Sequence, residues 1–372
     1  MLNKERLNNE FMELVRIYSP SRGERQLADY LLGKIVELGY EAYEDDVMPR
    51  IARGNCGNVI VNIKGNAPGK RVMFSAHMDC VEPCRDVQPI FKDGVFYSDG
   101  TTVLGGDDKC AIAAMLEVLH IIKEQDIKYP DLQMLFTVAE EDGLEGARYI
   151  NTAELRSDVG YVLDVNGAPG TIAIAAPGYY DIKTIIRGRK AHAGIDPENG
   201  INAITVAAKI LAQLPQGRLD EETTANVGLI KGGTARNIVA DYVEIVSEAR
   251  SIDDDKLEAL CAKIVHTTKQ VCHENGAEVE VKADKLYYPV KLKEDDEVVQ
   301  IAKRAMQDLN LPIKIVTTGG GSDANNFNRH GVPTAVLAIG MSKVHTTSEF
   351  LKAEDLHATA AIVLSIIKNS LD

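Results

Sequence analysis

No cysteine pair at CxxC spacing, no apolar run of membrane-spanning length, no surplus of basic residues and no internal repeat occurs in this 372-residue sequence. Each absence removes a class of function. The six cysteines, Cys56, Cys80, Cys84, Cys110, Cys261 and Cys272, are scattered through a chain long enough to need no covalent staples. They read as reduced thiols in the core or as bystanders. The opening stretch MLNKERLNNEFMELV carries charge every few residues, where a secretion signal needs an unbroken apolar segment. A cytoplasmic protein without membrane contact is therefore expected. The formal charge of −14, with lysine and arginine spread out, argues against a nucleic-acid partner, because phosphate binding needs a basic face. The glycine-rich GGGSD at 319–323 has neither a P-loop lysine nor dinucleotide-binding spacing, so it is not a nucleotide loop.

With 45% apolar and 26% charged residues the composition is that of a soluble globular protein. Its length exceeds what one core usually serves, which predicts two domains or one domain carrying an insertion. Buried strands are expected at 58–63, 71–76, 132–139 and 160–165, with a helix over 110–124 among them. That alternation predicts an α/β domain with a largely parallel sheet. Ser21 followed by Glu24 has the spacing of a capping box ahead of the amphipathic run RQLADYLLGKIVELG. From 178 to 285 the texture changes to strand, helix, strand, strand, helix, strand, the ferredoxin-like α+β order. Afterwards α/β texture returns, with a helix near 295–309, the loop TTGGGSDANNF, the strand TAVLAI and a closing helix over 354–369. The predicted organisation is a discontinuous α/β domain, 1–177 and 286–372, interrupted by a lid of 178–285.

Chemistry-bearing residues fall at the ends of the expected strands, where ligands of open α/β sheets gather. His77 and Asp79 stand two apart in SAHMDC, able to turn an imidazole and a carboxylate toward one site. Asp107 lies in GGDDK, before a helix, where an acid also suits the helix dipole for structural reasons alone. Glu140 and Glu141 sit side by side in VAEEDG; at a strand end neighbours point to opposite sides, so one could bind a metal while the other meets water. Asp164 is the one acid in the apolar run GYVLDV and needs a partner if buried. His345 in KVHTTSEF adds a second imidazole. Each fragment is ambiguous by itself, but together they compose a reasonable two-cation set. His120, His266, His273, His330 and His357 lack an acidic motif of this kind and read as structural.

The ordered series SAHMD, TTVLGGDDK, FTVAEEDGLEGA, YVLDVNG, RKAHAG, ARNIVAD, EARSID, GGGSDANNF and VHTTSEF resembles, over the whole chain, the two-zinc exopeptidases that include tripeptide aminopeptidases, carboxypeptidases and aminoacylases, the peptidase T-like branch most of all. The resemblance implies a zinc-exopeptidase-like α/β domain with an inserted ferredoxin-like lid. It implies two divalent metal ions, zinc first, with cobalt or manganese compatible with the same ligands. His77 and Asp164 would bind one ion, Glu141 and His345 the other, and Asp107, joined to Asp108 by a cis peptide, would bridge them. Glu140 would be the general base and Asp79 would orient His77. In the lid, His192 of KAHAG would stabilise an oxyanion, and Asn237 and Arg250 would contact a short peptide substrate. Release of the N-terminal residue from tripeptides is the implied reaction, favoured by an aspartate at 164. A dipeptidase, carboxypeptidase or N-acyl amino acid deacylase would use the same site. A homodimer through the lid, and the supply of His192 by the same chain or a partner, stay open.

Overall fold

In a computed structural model describing residues 2–372, the chain separates into two compact units, one running through Ala176 and again from Lys291 to Asp372, the other from Pro177 to Val290. The first is built on one sheet whose strands lie in the order Ala42–Glu44, Val59–Ile63, Leu132–Thr137, Val72–His77, Val159–Val165, Thr334–Ala338, Thr171–Ala176, with Lys314–Thr317 beside the last. Leu132–Thr137 and Val72–His77 are buried along their whole length, which is why they read as continuous apolar runs rather than alternating ones.

The sheet is mixed rather than largely parallel. Val72–His77 pairs in parallel with strands 132–137 and 159–165, and Thr334–Ala338 with 159–165. The expected strand at 58–63 instead pairs antiparallel with 132–137, and Thr334–Ala338 pairs antiparallel with Thr171–Ala176, a strand the sequence reading did not mark. Local hydrophobicity selects a buried strand but says nothing about the direction of its partner. The parallel centre nevertheless brings the carboxyl ends of three neighbouring strands to one edge, ahead of His77, Glu140 and Asp164.

Helix Gly106–Glu124 is buried on nearly every face, packed between the sheet and helices Lys4–Arg16 and Ala353–Asn369. A helix apolar all round is one enclosed by the core. Its first residues are not regular: Asp107 and Asp108 have non-helical dihedrals, Gly105 is left-handed at φ 76°, and the peptide bond Asp107–Asp108 is cis. Among the described residues no helix is long and apolar enough to cross a membrane. All six cysteines are buried thiols.

The second unit has the ferredoxin-like order. Its antiparallel sheet runs Thr223–Gly232, Tyr242–Ser251, Gly178–Arg187, Glu278–Tyr287, extended by the short Gly217–Arg218. Helices Ala203–Leu211 and Asp254–Glu274 cover one face. Strand Tyr242–Ser251 alternates strictly between half-exposed and buried residues, as expected for a sheet packed on one side.

Candidate metal centre

The strand-end residues of the first unit converge. His77, the last residue of its strand, is buried; its Nε2 lies 3.1 Å from Asp107 Oδ1 and its Nδ1 2.9 Å from the main-chain carbonyl of Asp79. The Asp79 carboxylate is farther from that nitrogen, at 3.5 Å. His345, half exposed in the loop after strand Thr334–Ala338, places Nε2 3.3 Å from Asp107 Oδ2 and 2.8 Å from Glu141 Oε1. Each oxygen of Asp107 therefore faces a different imidazole. Ligand-type atoms of His77, Asp107 and Asp164 lie within 4.8 Å of one another, and so do those of Asp107, Glu141 and His345. A third group joins His77 to Glu140 and Glu141.

That third group changes the expected geometry of the glutamate pair. The strand ends at Thr137, so Glu140 and Glu141 lie in the following turn and the pleat does not send them to opposite sides. Both carboxylates approach His77. Ala139, just before them, is left-handed at φ 49°, a conformation costly for a residue with a Cβ.

Crowding so many acids into a water-poor site perturbs their ionisation. Burial, then the charge of Asp164, pushes the Glu140 carboxyl well above its ordinary range. Asp164 keeps some exposure, yet the protein packed about its carboxyl and then the charge of Asp107 drive it up as well. Burial also opposes the charge on Asp107, but hydrogen bonds from His345 and His77 overcome it and hold this carboxyl below the ordinary range. For His77, burial favours the neutral ring; hydrogen bonds to Asp107 and Asp79 reverse the balance and raise it well above normal. Asp108 is fully buried, with Oδ2 accepting the His77 N–H at 3.2 Å and Oδ1 without a hydrogen-bond partner among the described residues. Six acids, Asp79, Asp107, Asp108 and Glu140 buried and Glu141 and Asp164 partly so, gathered around His77 and His345 are electrostatically incomplete by themselves. Divalent cations are the groups that oxygen and imidazole donors in this arrangement accommodate.

Several participants carried a different meaning in the sequence. Ser21 and Glu24 do not form a capping box: helix Arg25–Glu37 begins without a side-chain cap. The Ser21 hydroxyl donates to Asp79 Oδ2 at 2.6 Å, and Glu24 Oε1 accepts the N–H groups of Arg22 and Ala139 at 2.8 and 2.9 Å. The S-x-x-E spacing is right for a cap, but tertiary partners took both side chains. Glu349, only 3% exposed, accepts the N–H of Gly105 and of Asp107 at 2.8 and 3.1 Å; its signal was its place in VHTTSEF, four residues after His345. Asp323, in the glycine-rich segment, accepts the Thr137 hydroxyl, and burial pushes its carboxyl up to about 7. Three of the histidines read as structural have ordinary partners: His330 meets the carbonyl of Ala147, His357 meets Asn8, and His120 lies 3.7 Å from Glu124.

In the second unit, His192 and Asn237 are exposed and close together, since Ala193 N–H donates to the Asn237 carbonyl at 3.0 Å. His192 Nδ1 accepts the Gly194 N–H at 3.2 Å. Arg250 is half buried, forks onto Glu248 at 3.1 and 3.0 Å, and lies 4.6 Å over the ring of Tyr179. It is not brought to His192. The loops bearing His192 and Asn237 leave the sheet at the end marked by the pair Tyr242 and Arg187, whereas Arg250 pairs Tyr179 at the other end. At 3.3 Å per residue the span from Tyr242 to Arg250 is roughly 26 Å.

Similarity to known proteins agrees with this organisation. An aminopeptidase PepT from Bacillus cereus superposes with a TM-score of 0.91 at 41% identity, over 99% of either chain. A tripeptidase from Staphylococcus aureus superposes at 0.95 with 38% identity, over 99% of this chain and 98% of that one. The Bacillus subtilis protein YqjE, itself uncharacterized, is 40% identical over the full length of both chains. The model of Peptidase family M20/M25/M40 matches residues 73–369, and the chain belongs to that family.

Proposed function

We propose that this protein is a two-metal exopeptidase that removes the N-terminal residue from tripeptides. The observation that carries the reading is Asp107, whose two carboxylate oxygens face His77 and His345 at 3.1 and 3.3 Å and so join two ligand groups through one side chain. The names of the relatives, an aminopeptidase and a tripeptidase, supply the substrate class. One divalent cation would be held by His77 and Asp164, the second by Glu141 and His345, with Asp107 shared; zinc suits these donors, and cobalt or manganese also fit. When bound, such cations polarise a carbonyl, lower the pKa of the attacking water, and return crowded carboxyls such as Glu140 to their ionised form.

The remaining work belongs to the protein. Glu140, left outside the ligand set, takes the proton of the attacking water and passes it to the leaving amine. The Asp79 main-chain carbonyl accepts from His77 Nδ1, which leaves Nε2 as the metal-facing nitrogen. His192 donates to the developing oxyanion from a partner's 178–285 unit in a homodimer, where that unit would act as a lid, because the sheet between His192 and Arg250 of one chain, roughly 26 Å, exceeds the ~11 Å length of a tripeptide. Asn237 helps hold the peptide, and Arg250 receives its terminal carboxylate by exchanging Glu248 for substrate.

A free-amino tripeptide compared with its N-acetylated form, each with defined metals and product analysis, tests the reading. Release of the first residue plus a dipeptide from the free form alone is the expected result. Faster cleavage of the acetylated peptide, or release of the C-terminal residue, would assign a deacylase or carboxypeptidase.

A further inference from the structure

The loop that carries Glu140 and Glu141 is gripped by a segment far away in sequence. Residues Ser19 to Glu24 run alongside Cys80, with Cys80 N–H donating to the Ser19 carbonyl at 2.9 Å. From this segment three side chains reach outward. Ser21 donates to Asp79 Oδ2, and Asp79 in turn accepts the N–H of Glu140 at 3.0 Å and of Glu141 at 3.1 Å. Glu24 takes the preceding amide, that of Ala139, on the same oxygen that accepts the N–H of Arg22 from its own segment. Arg22 pairs with Asp142 at 2.6 Å and Glu145 at 3.1 Å beyond the glutamates. Thus two buried carboxylates, of Asp79 and Glu24, hold three successive amides, and the first of these belongs to the left-handed Ala139.

The arrangement is expensive to maintain. Glu24 is 1% exposed and adjacent to the charge of Asp79; burial and then that repulsion push its carboxyl up to about 7. Two acids are kept together in the interior where one would satisfy fewer amides. A left-handed alanine persists only where its surroundings over-determine it. What the grip secures is the backbone at which neighbouring glutamates must take unlike roles, one toward a cation and one toward water.

We propose that Glu24, assisted by Ser21, is a positioning residue for Glu140: it holds the Ala139–Glu141 backbone so that Glu140 stays outside the ligand set and within reach of the attacking water. This rests on the general-base reading of Glu140 given above. The role is geometric and needs only an accepting oxygen at Glu24 Oε1.

The test compares Glu24→Ala, Glu24→Gln and Ser21→Ala in the full-length, metal-loaded protein. Glu24→Ala should lower kcat on a tripeptide by roughly 10- to 100-fold, the scale of a small misplacement of a reacting group, with KM nearly unchanged. Metal content should stay at the wild-type level. Amide hydrogen exchange of the peptide spanning 138–145 should accelerate by about tenfold, as for loss of one buried hydrogen bond. Glu24→Gln keeps the accepting oxygen and should restore both kcat and exchange to within about threefold of wild type. Ser21→Ala should give a smaller loss of kcat in the same direction, and decides the matter if Glu24→Ala does not fold. Unchanged kcat and exchange in the alanine variants overturn the proposal, and so does a loss of kcat that tracks loss of metal. Exchange is read without substrate, so a wild-type protein inactive on tripeptides would sink the functional reading while the grip on the loop is still measured.

Discussion

The two units hold their candidate residues in opposite ways. Around Asp107 several participants are braced by other segments, while His345 stands half exposed on a loop: Glu349 fixes the Asp107 amide, His77 is held by the Asp79 carbonyl and the Asp108 carboxylate, and Asp79 fixes both glutamate amides. In the ferredoxin-like unit, His192 and Asn237 stand exposed on loops, and Arg250 is occupied by Glu248 and Tyr179. The contrast fits a division between a preorganised centre for charge and contacts completed only when substrate arrives.

Perturbing each unit sharpens that contrast. Asp107→Ala removes the one side chain shared by both ligand groups, and should cost both cations and all measurable turnover. Elemental analysis after dialysis checks this, and retention of one tightly bound ion would show that the groups are independent. His192→Ala should lower kcat by ~10²–10³ with little change in KM and normal metal content, as for one oxyanion donor. Steady-state kinetics that show an unchanged kcat would return His192 to an ordinary loop residue. Arg250→Ala should raise KM for a free-acid tripeptide by about tenfold while sparing its C-terminal amide, the loss of one charge-assisted pair. The smallest effect is expected of Glu248→Gln: by freeing the guanidinium it should lower KM about threefold or less. A rise in KM would mean that Glu248 aligns Arg250 rather than competing with substrate.

Much of the braced centre was legible in the sequence because strands 72–77, 132–137 and 159–165 are buried on both faces. Their apolar runs stop where the clustered polar residues start, so the candidates His77, Glu140 and Asp164 stand out. Its supports were illegible for a physical reason. Glu24 meets Ala139 and Glu349 meets Asp107 across 115 and 242 residues. A local rule such as the capping box scores only partners a few positions away, so Ser21 and Glu24 gave a well-formed but mistaken signal. Strand 59–63 failed similarly: its burial was readable, its antiparallel pairing with 132–137 was not. In the second unit the element order is readable from periodicity, whereas periodicity does not mark the pairing of Arg250 with Glu248, two positions away on the same face of one strand.

The account depends most on adjacent glutamates doing different work. The direct measurement is turnover and metal content, side by side, for Glu140→Gln and Glu141→Gln. Glu140→Gln should keep its full complement of metal and the wild-type fold, yet lose at least ~10² in kcat, the scale of a positioned acid–base group. Glu141→Gln should instead bind metal more weakly, and should recover part of its activity when metal is supplied in excess. Equal metal content in the two variants, or full turnover by Glu140→Gln, would contradict the division of roles.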